Sequence, residues 1–191
     1  MAKTKAQAAP LKDRAVKAAL AIAAREGWNG VTFQAIAKET GASLSDLHDL
    51  FDDRFELLSA YGRMVDRHML AHAGKDNSGS PRDRLFDLIM ERFDILNEDR
   101  EGLVAVLQGL KTDPKQLVLS LPHLGRSMSW ILEAAGISTF GWQGAVRIAG
   151  MTALYLKTLH CWMDDESEDM SATMAALDKN LERAERWAHR F

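Results

Sequence analysis

Apolar residues recur every three to four positions through almost the whole chain, and alternating β-branched runs are nearly absent. The pattern predicts helices throughout. Leu11, Ala15, Ala18, Ala19, Ile22 and Ala23 share one face of a first helix that Gly27 ends. Thr32 is placed to cap a short helix reaching about Thr40, with Gly41 as the turn residue after it. Ser43 and Asp46 have the spacing of a second cap, opening a helix through Phe51. A longer helix over 54–73 carries Leu57, Tyr61, Met64, Val65 and His68 on one stripe. The polar stretch GKDNSGSP (74–81) marks a boundary, after which Ser80 caps and Pro81 opens a helix to about Asn97. Helices over 98–111 and 114–135 follow, with Pro122 expected to kink or split the second. Residues 142–163 are apolar on nearly every side, which predicts burial all round, in a core or a subunit interface. A last helix over 168–190 is expected to carry Met170, Met174, Leu177, Leu181, Ala184 and Trp187 on one stripe. The expectation is an all-α chain of about nine helices: a basic arm (1–10), a small N-terminal domain (11–58) and a larger helical domain (59–191).

Composition removes several classes of function. At 191 residues and 47% hydrophobic content the chain is long and apolar enough to bury a substantial core. No apolar run approaches 18 residues, and the first ten residues have no signal-like apolar core, so a cytoplasmic location is expected. A single cysteine, Cys161, excludes a disulfide framework and any multi-cysteine metal site. The net charge of −3 argues against coating nucleic acid by bulk electrostatics.

The segment from Thr32 to Leu58, TFQAIAKETGASLSDLHDLFDDRFELL, places two short helices around a glycine turn after a longer first helix. That is a helix-turn-helix. Its Thr32, Ile36, Ala37, Gly41, Ser43, Leu47 and Phe51, followed by Phe55, Leu57 and Leu58, resemble the tetracycline-repressor-type (TetR) regulators across residues 11–60. The resemblance implies a homodimer that reads successive major grooves of a palindromic operator. It also implies a C-terminal domain that dimerises and holds a ligand whose binding changes the spacing of the heads. DNA-facing candidates are Lys12, Arg14, Thr32, Lys38, Ser43, Ser45 and His48.

Charge is distributed unevenly over this segment. Residues 1–30 carry Lys3, Lys5, Lys12, Arg14, Lys17 and Arg25 against Asp13 and Glu26. Residues 31–60 carry only Lys38 and Arg54 against Glu39, Asp46, Asp49, Asp52, Asp53 and Glu56. The reading motif is therefore acidic and the arm before it basic. An arm can hold phosphates while Ser43, Ser45 and His48 supply hydrogen bonds. The alternative is a degenerate motif, kept as scaffold.

Three further segments, RDRLFDLIMERFDIL (82–96), SMSWILEAAGI (127–137) and YLKTLHCWMDDESEDMSATMAALDKNLERAE (155–185), resemble the coenzyme Q biosynthesis lipid-binding family. That resemblance implies an accessory protein binding an isoprenoid quinone or similar lipid beside a quinone-biosynthesis enzyme. The transit peptide and C-terminal membrane helix of that family's mitochondrial members are not expected in this chain. His68, Met128, Trp130, Met151, Tyr155, Leu159 and Trp162 are candidate pocket residues, since methionine and aromatic side chains make adaptable apolar walls. His68 and His72 stand one helical turn apart but lack a third ligand, so no metal is expected. The acidic run 164–169 fits the start of the last helix better than a calcium loop. Cys161 has no neighbouring cation to activate it. No cofactor loop or catalytic motif is present, and no enzymatic activity is expected.

Overall fold

The computed structural model describes residues 10–72, 79–111 and 113–188. Among these residues there are nine α-helices, one 3-10 turn and no strand, so the all-α expectation holds. In chain order the helices are α1 (Leu11–Glu26), α2 (Phe33–Thr40), α3 (Leu44–His48), α4 (Arg54–His72), α5 (Pro81–Glu98), α6 (Arg100–Lys111), α7 (Pro114–Ala134), α8 (Gly141–Asp164) and α9 (Ser171–Ala188). The 3-10 turn is Trp28–Gly30. Apart from Pro10, the expected basic arm lies outside the described residues.

Two compact units form, and they do not follow chain order. One takes residues up to Met64 together with Asp99–Leu119, and the other takes Val65–Glu98 and Ser120 onward. In the first unit, α1 buries Ala15, Val16, Ala19, Ile22 and Ala23 against α2 and, most extensively, α6. The small residues of α1 let α6 approach closely. Gly102 of α6 sits so near that a Cβ there would come within 2.3 Å of the Leu20 carbonyl oxygen. Polar groups reinforce the packing: Asp99, just before α6, accepts from Lys17 Nζ on α1 (2.5 Å) and from Tyr61 Oη on α4 (3.1 Å).

The second unit is built on α5, α8 and α9 with parts of α4 and α7. Its core contains Ile89, Phe93, Met128, Ile131, Trp162 and Leu177, all fully buried. Phe93 stacks on Tyr155 with centroids 5.5 Å apart and lies 6.1 Å from the Trp162 ring. Arg84 donates from Nε and Nη2 to the Ala135 carbonyl, tying α5 to the end of α7. On the exposed side Arg82 reaches Asp178 of α9 (2.5 Å).

Two expectations change, a split at Pro122 and the inward place of His68. Helix α7 runs unbroken through Pro122, which is exposed, as is Val118, whose carbonyl loses its intrahelical donor there. Helix α8, expected to be buried in a core or a subunit interface, buries one face within the single chain: Met151, Leu154, Tyr155, Thr158, Leu159 and Trp162 are covered, while Trp142 is 76% exposed and Val146 is exposed. His68 is exposed, and Met69 takes the inward place on the α4 stripe.

Candidate functional site

Two groups of residues carry chemistry, one in each unit. In the first unit the local geometry follows from caps. Thr32 Oγ1 accepts from the Ala35 N–H (3.1 Å) and starts α2. Gly41 ends it at φ +70°, a left-handed conformation that glycine adopts without strain. Two residues later Ser43 and Asp46 form a capping box: Ser43 Oγ accepts from the Asp46 N–H, and the Asp46 carboxylate accepts from the Ser43 N–H. The hydrogen bonds that Ser43 donates lower the pKa of Asp46 below the ordinary carboxylate value. Helix α3 is thereby held at a fixed angle after a tight turn. Its Leu47 is completely buried and its other face is open, presenting Leu44, Ser45 and His48.

The structure brings Thr32, Lys38, Ser43, Ser45 and His48 to exposed or half-buried positions on or just before α2 and α3, and Arg14 lies on α1. Lys12 is half-buried. Its ammonium lies 5.2 Å from the centre of the Phe51 ring and 3.4 Å from the Leu50 carbonyl, so it braces the turn after α3.

Charge counting along the sequence missed what the acidic groups do. Glu39 pairs with Arg25 (3.0 Å). Asp53 Oδ1 accepts from the Phe55 and Glu56 N–H groups at the start of α4, and Glu56 reaches back to the Asp52 N–H (2.8 Å). Asp46, Asp53 and Glu56 thus sit at helix N-termini, where the macrodipole favours negative charge. Much of the acidity of residues 31–60 is structural. The signal was present in the sequence as Ser43-x-x-Asp46 and Asp52-x-x-x-Glu56 spacings. Arg54, the other cation of this segment, is enclosed between the Trp28 ring (5.0 Å) and the Phe55 ring (5.2 Å).

In the second unit, Met128, Met151, Tyr155, Leu159 and Trp162 are all buried and belong to one core. Trp130 and His68, read with them from the sequence, are exposed instead. His72 pairs with Glu91 at 3.4 Å, and no group of three metal-ligating side chains exists among the described residues.

Sequence reading missed the polar heart of this core. Arg92 of α5 is only 4% exposed, and its Nε donates to Tyr155 Oη (3.0 Å). Its Nη1 donates to the Asp66 carboxylate of α4, which also accepts from Ser127 Oγ of α7. Burial opposes the guanidinium charge, but the Tyr155 oxygen and the Asp66 carboxylate outweigh it, and Arg92 stays charged. Nothing in the helical period distinguishes Arg92 from an exposed arginine at the edge of a stripe. At the end of α8, burial and the carboxylates of Asp165 and Asp164 push the Cys161 thiol up, away from thiolate reactivity.

No family model and no curated protein matches the chain. Solved structures do. A TetR transcriptional regulator from Nitrosomonas europaea ATCC 19718 matches with a TM-score of 0.74 at 26% identity, over 93% of this chain and 99% of that one. A TetR regulator from Rhodococcus sp. RHA1 matches at 0.67 and 17% identity, over 91% and 94%. The TetR family regulator PfmR from Thermus thermophilus matches at 0.52 and 20% identity, over 89% and 98%. The last two bear on fold alone. The coenzyme Q-type resemblance, and the quinone-biosynthesis partner it implies, rest on the sequence motifs only.

Proposed function

We propose that this chain, which has the fold of the TetR-family transcriptional regulators, is itself a homodimeric regulator. It binds operator DNA through α2 and α3 and responds to an apolar, lipid-like ligand held in its second unit. The observation that carries the reading is the doubly capped pair of short helices around Gly41. It buries Leu47 and turns Ser45, His48 and Lys38 outward, as a helix entering the major groove requires. Phosphate attraction comes from Arg14 and Lys38, with Lys3 and Lys5 in the preceding arm. The capping carboxylates are held close to their own helices.

Fluorescence anisotropy against the gene's own upstream DNA tests this. Binding at or below micromolar protein is expected, weakening as salt rises. Replacing both Lys3 and Lys5 by Ala is expected to make the log–log salt slope shallower by about 1 per lysine in each protomer. Salt-insensitive or absent binding, with and without candidate lipids, defeats the regulator reading and leaves the helix-turn-helix as scaffold.

For the dimer, a second copy of the chain is the occupant that fits the open face of α8. Trp142 and Val146 lie on that face, while Phe140, just before the helix, is 91% exposed. Such a cluster of large apolar side chains is unusual on a monomer's surface, and a two-fold axis buries the same patch on both copies. Light scattering after size exclusion is expected to show a dimer for the natural chain and a monomer for Trp142→Glu. A monomeric natural chain, or a variant that stays dimeric, counts against this interface.

A further inference from the structure

The Arg92–Asp66 pair is an expensive feature for the core of the second unit. Desolvating two charges costs more than packing apolar side chains of the same volume usually does, so fold stability alone is a weak reason for a buried ion pair. The pair is also asymmetric. The Arg92 side chain is 5% exposed and the Asp66 side chain 15%, so solvent reaches the carboxylate end. Asp66 engages Nη1 while Tyr155 engages Nε, so the aspartate does not use the planar two-nitrogen fork by which a guanidinium best grips a carboxylate. Arg92 lies 5.3 Å from the centre of the Tyr155 ring, which stacks on Phe93. The charged node is thus set against the aromatic side chains of Tyr155 and Phe93 in an otherwise apolar core.

We propose that Arg92 is the anchor for the carboxylate of an acidic, otherwise apolar ligand, and that Asp66 holds the place of this carboxylate in the ligand-free protein. This deepens the regulator reading and rests on its premise of an apolar effector: the effector is an amphipathic acid, recognised through its headgroup. Binding exchanges one carboxylate for another at Arg92. Ser127 Oγ and Tyr155 Oη stay in place as the hydroxyls that share the headgroup.

The test uses the full-length chain and two probes of equal chain length, dodecanoate and dodecanol, titrated by calorimetry below their aggregation concentrations. The natural protein is expected to bind dodecanoate at least tenfold more tightly than dodecanol. Asp66→Asn keeps an acceptor for Arg92 and Ser127 but removes the competing charge, so it is expected to bind dodecanoate at least tenfold more tightly than the natural protein and to widen the preference for acid over alcohol. Arg92→Gln is expected to abolish the preference for the acid, and Arg92→Lys to restore part of it. A purely structural ion pair gives the opposite result in the Asp66→Asn arm, with no gain for the acid, and that outcome overturns the proposal even if Arg92→Gln fails to fold. Equal affinity of the natural chain for acid and alcohol overturns it as well. Anisotropy on operator DNA, run on the same samples, separates the two readings. Absence of DNA binding both with and without the acid, with acid binding intact, rejects the regulator and keeps the carboxylate site.

Discussion

Replacing Gly102 by Ala is expected to destabilise the first unit by about 3 kcal/mol, toward the upper end of overpacking costs. The added Cβ meets the Leu20 carbonyl oxygen at 2.3 Å and the Leu20 carbonyl carbon at 2.9 Å. Both atoms are backbone, in the middle of α1, and neither can rotate away. Relief requires α1 and α6 to separate, which loosens the packing of the two helices in which Ala15, Ala19, Ala23, Leu103 and Val106 are buried. Gly62→Ala on α4 is the control. No atom lies within 4 Å of its added Cβ, so the change relieves only the helix penalty of glycine and is expected to stabilise by about 0.5–1 kcal/mol. Urea unfolding followed by helical circular dichroism reads both. A Gly102→Ala midpoint equal to or above that of the natural chain contradicts the close approach of the two helices.

The second large effect is expected at Asp165, between α8 and α9. Its carboxylate is buried and accepts from both the N–H (2.7 Å) and the hydroxyl (2.7 Å) of Thr173, and from the N–H (3.1 Å) and hydroxyl of Ser167. Burial alone would raise its pKa, but these donors win and hold the group far below the usual carboxylate range. Thr173 is fully buried, so Asp165→Ala leaves its N–H and hydroxyl with no acceptor and is expected to cost about 3 kcal/mol. Asp165→Asn keeps one acceptor oxygen and is expected to cost about half as much. The pH dependence follows from the direction of the shift. A folded-state value depressed below the unfolded value of 3.8 stabilises the native state fully above that pH, and the contribution is lost as pH falls through and below it. The natural chain should therefore lose stability as pH falls below about 5, most steeply below 3.8, and the Asn variant less steeply. Parallel urea midpoints for the two proteins across that range would remove Asp165 as the cause.

These two sites show different degrees of legibility. The acidic run at 164–169 was recognisable as the entry to the last helix, because carboxylates before a helix favour its N-terminus. That Asp165 in particular turns inward onto Thr173 depends on how α9 lies along α8. Gly102 is one glycine within a helical stretch of the sequence, and only the proximity of α1 makes it necessary. The pocket candidates divide in the same way. Met128, Met151, Tyr155, Leu159 and Trp162 are buried. Trp130 and His68 stand outside, because a stripe read over a long helix drifts, and a large or aromatic side chain marks an inward face only on average.

The sequence by itself determined the all-helical class, the caps at Thr32, Ser43 and Ser80, the Gly41 turn and hence the helix-turn-helix. These are local properties of 3.6-residue periodicity and of side chains that bond their own backbone a few residues away. It also showed where the charges fall. Tertiary structure alone decided what those charges do: Arg25 holds Glu39, Lys17 holds Asp99 across 82 positions, and Arg92 is drawn into the core by Asp66 and Tyr155. Periodicity reports which face of a helix is apolar, but an ion pair between distant segments is set by helix packing, and burial then fixes how strongly each charge is felt.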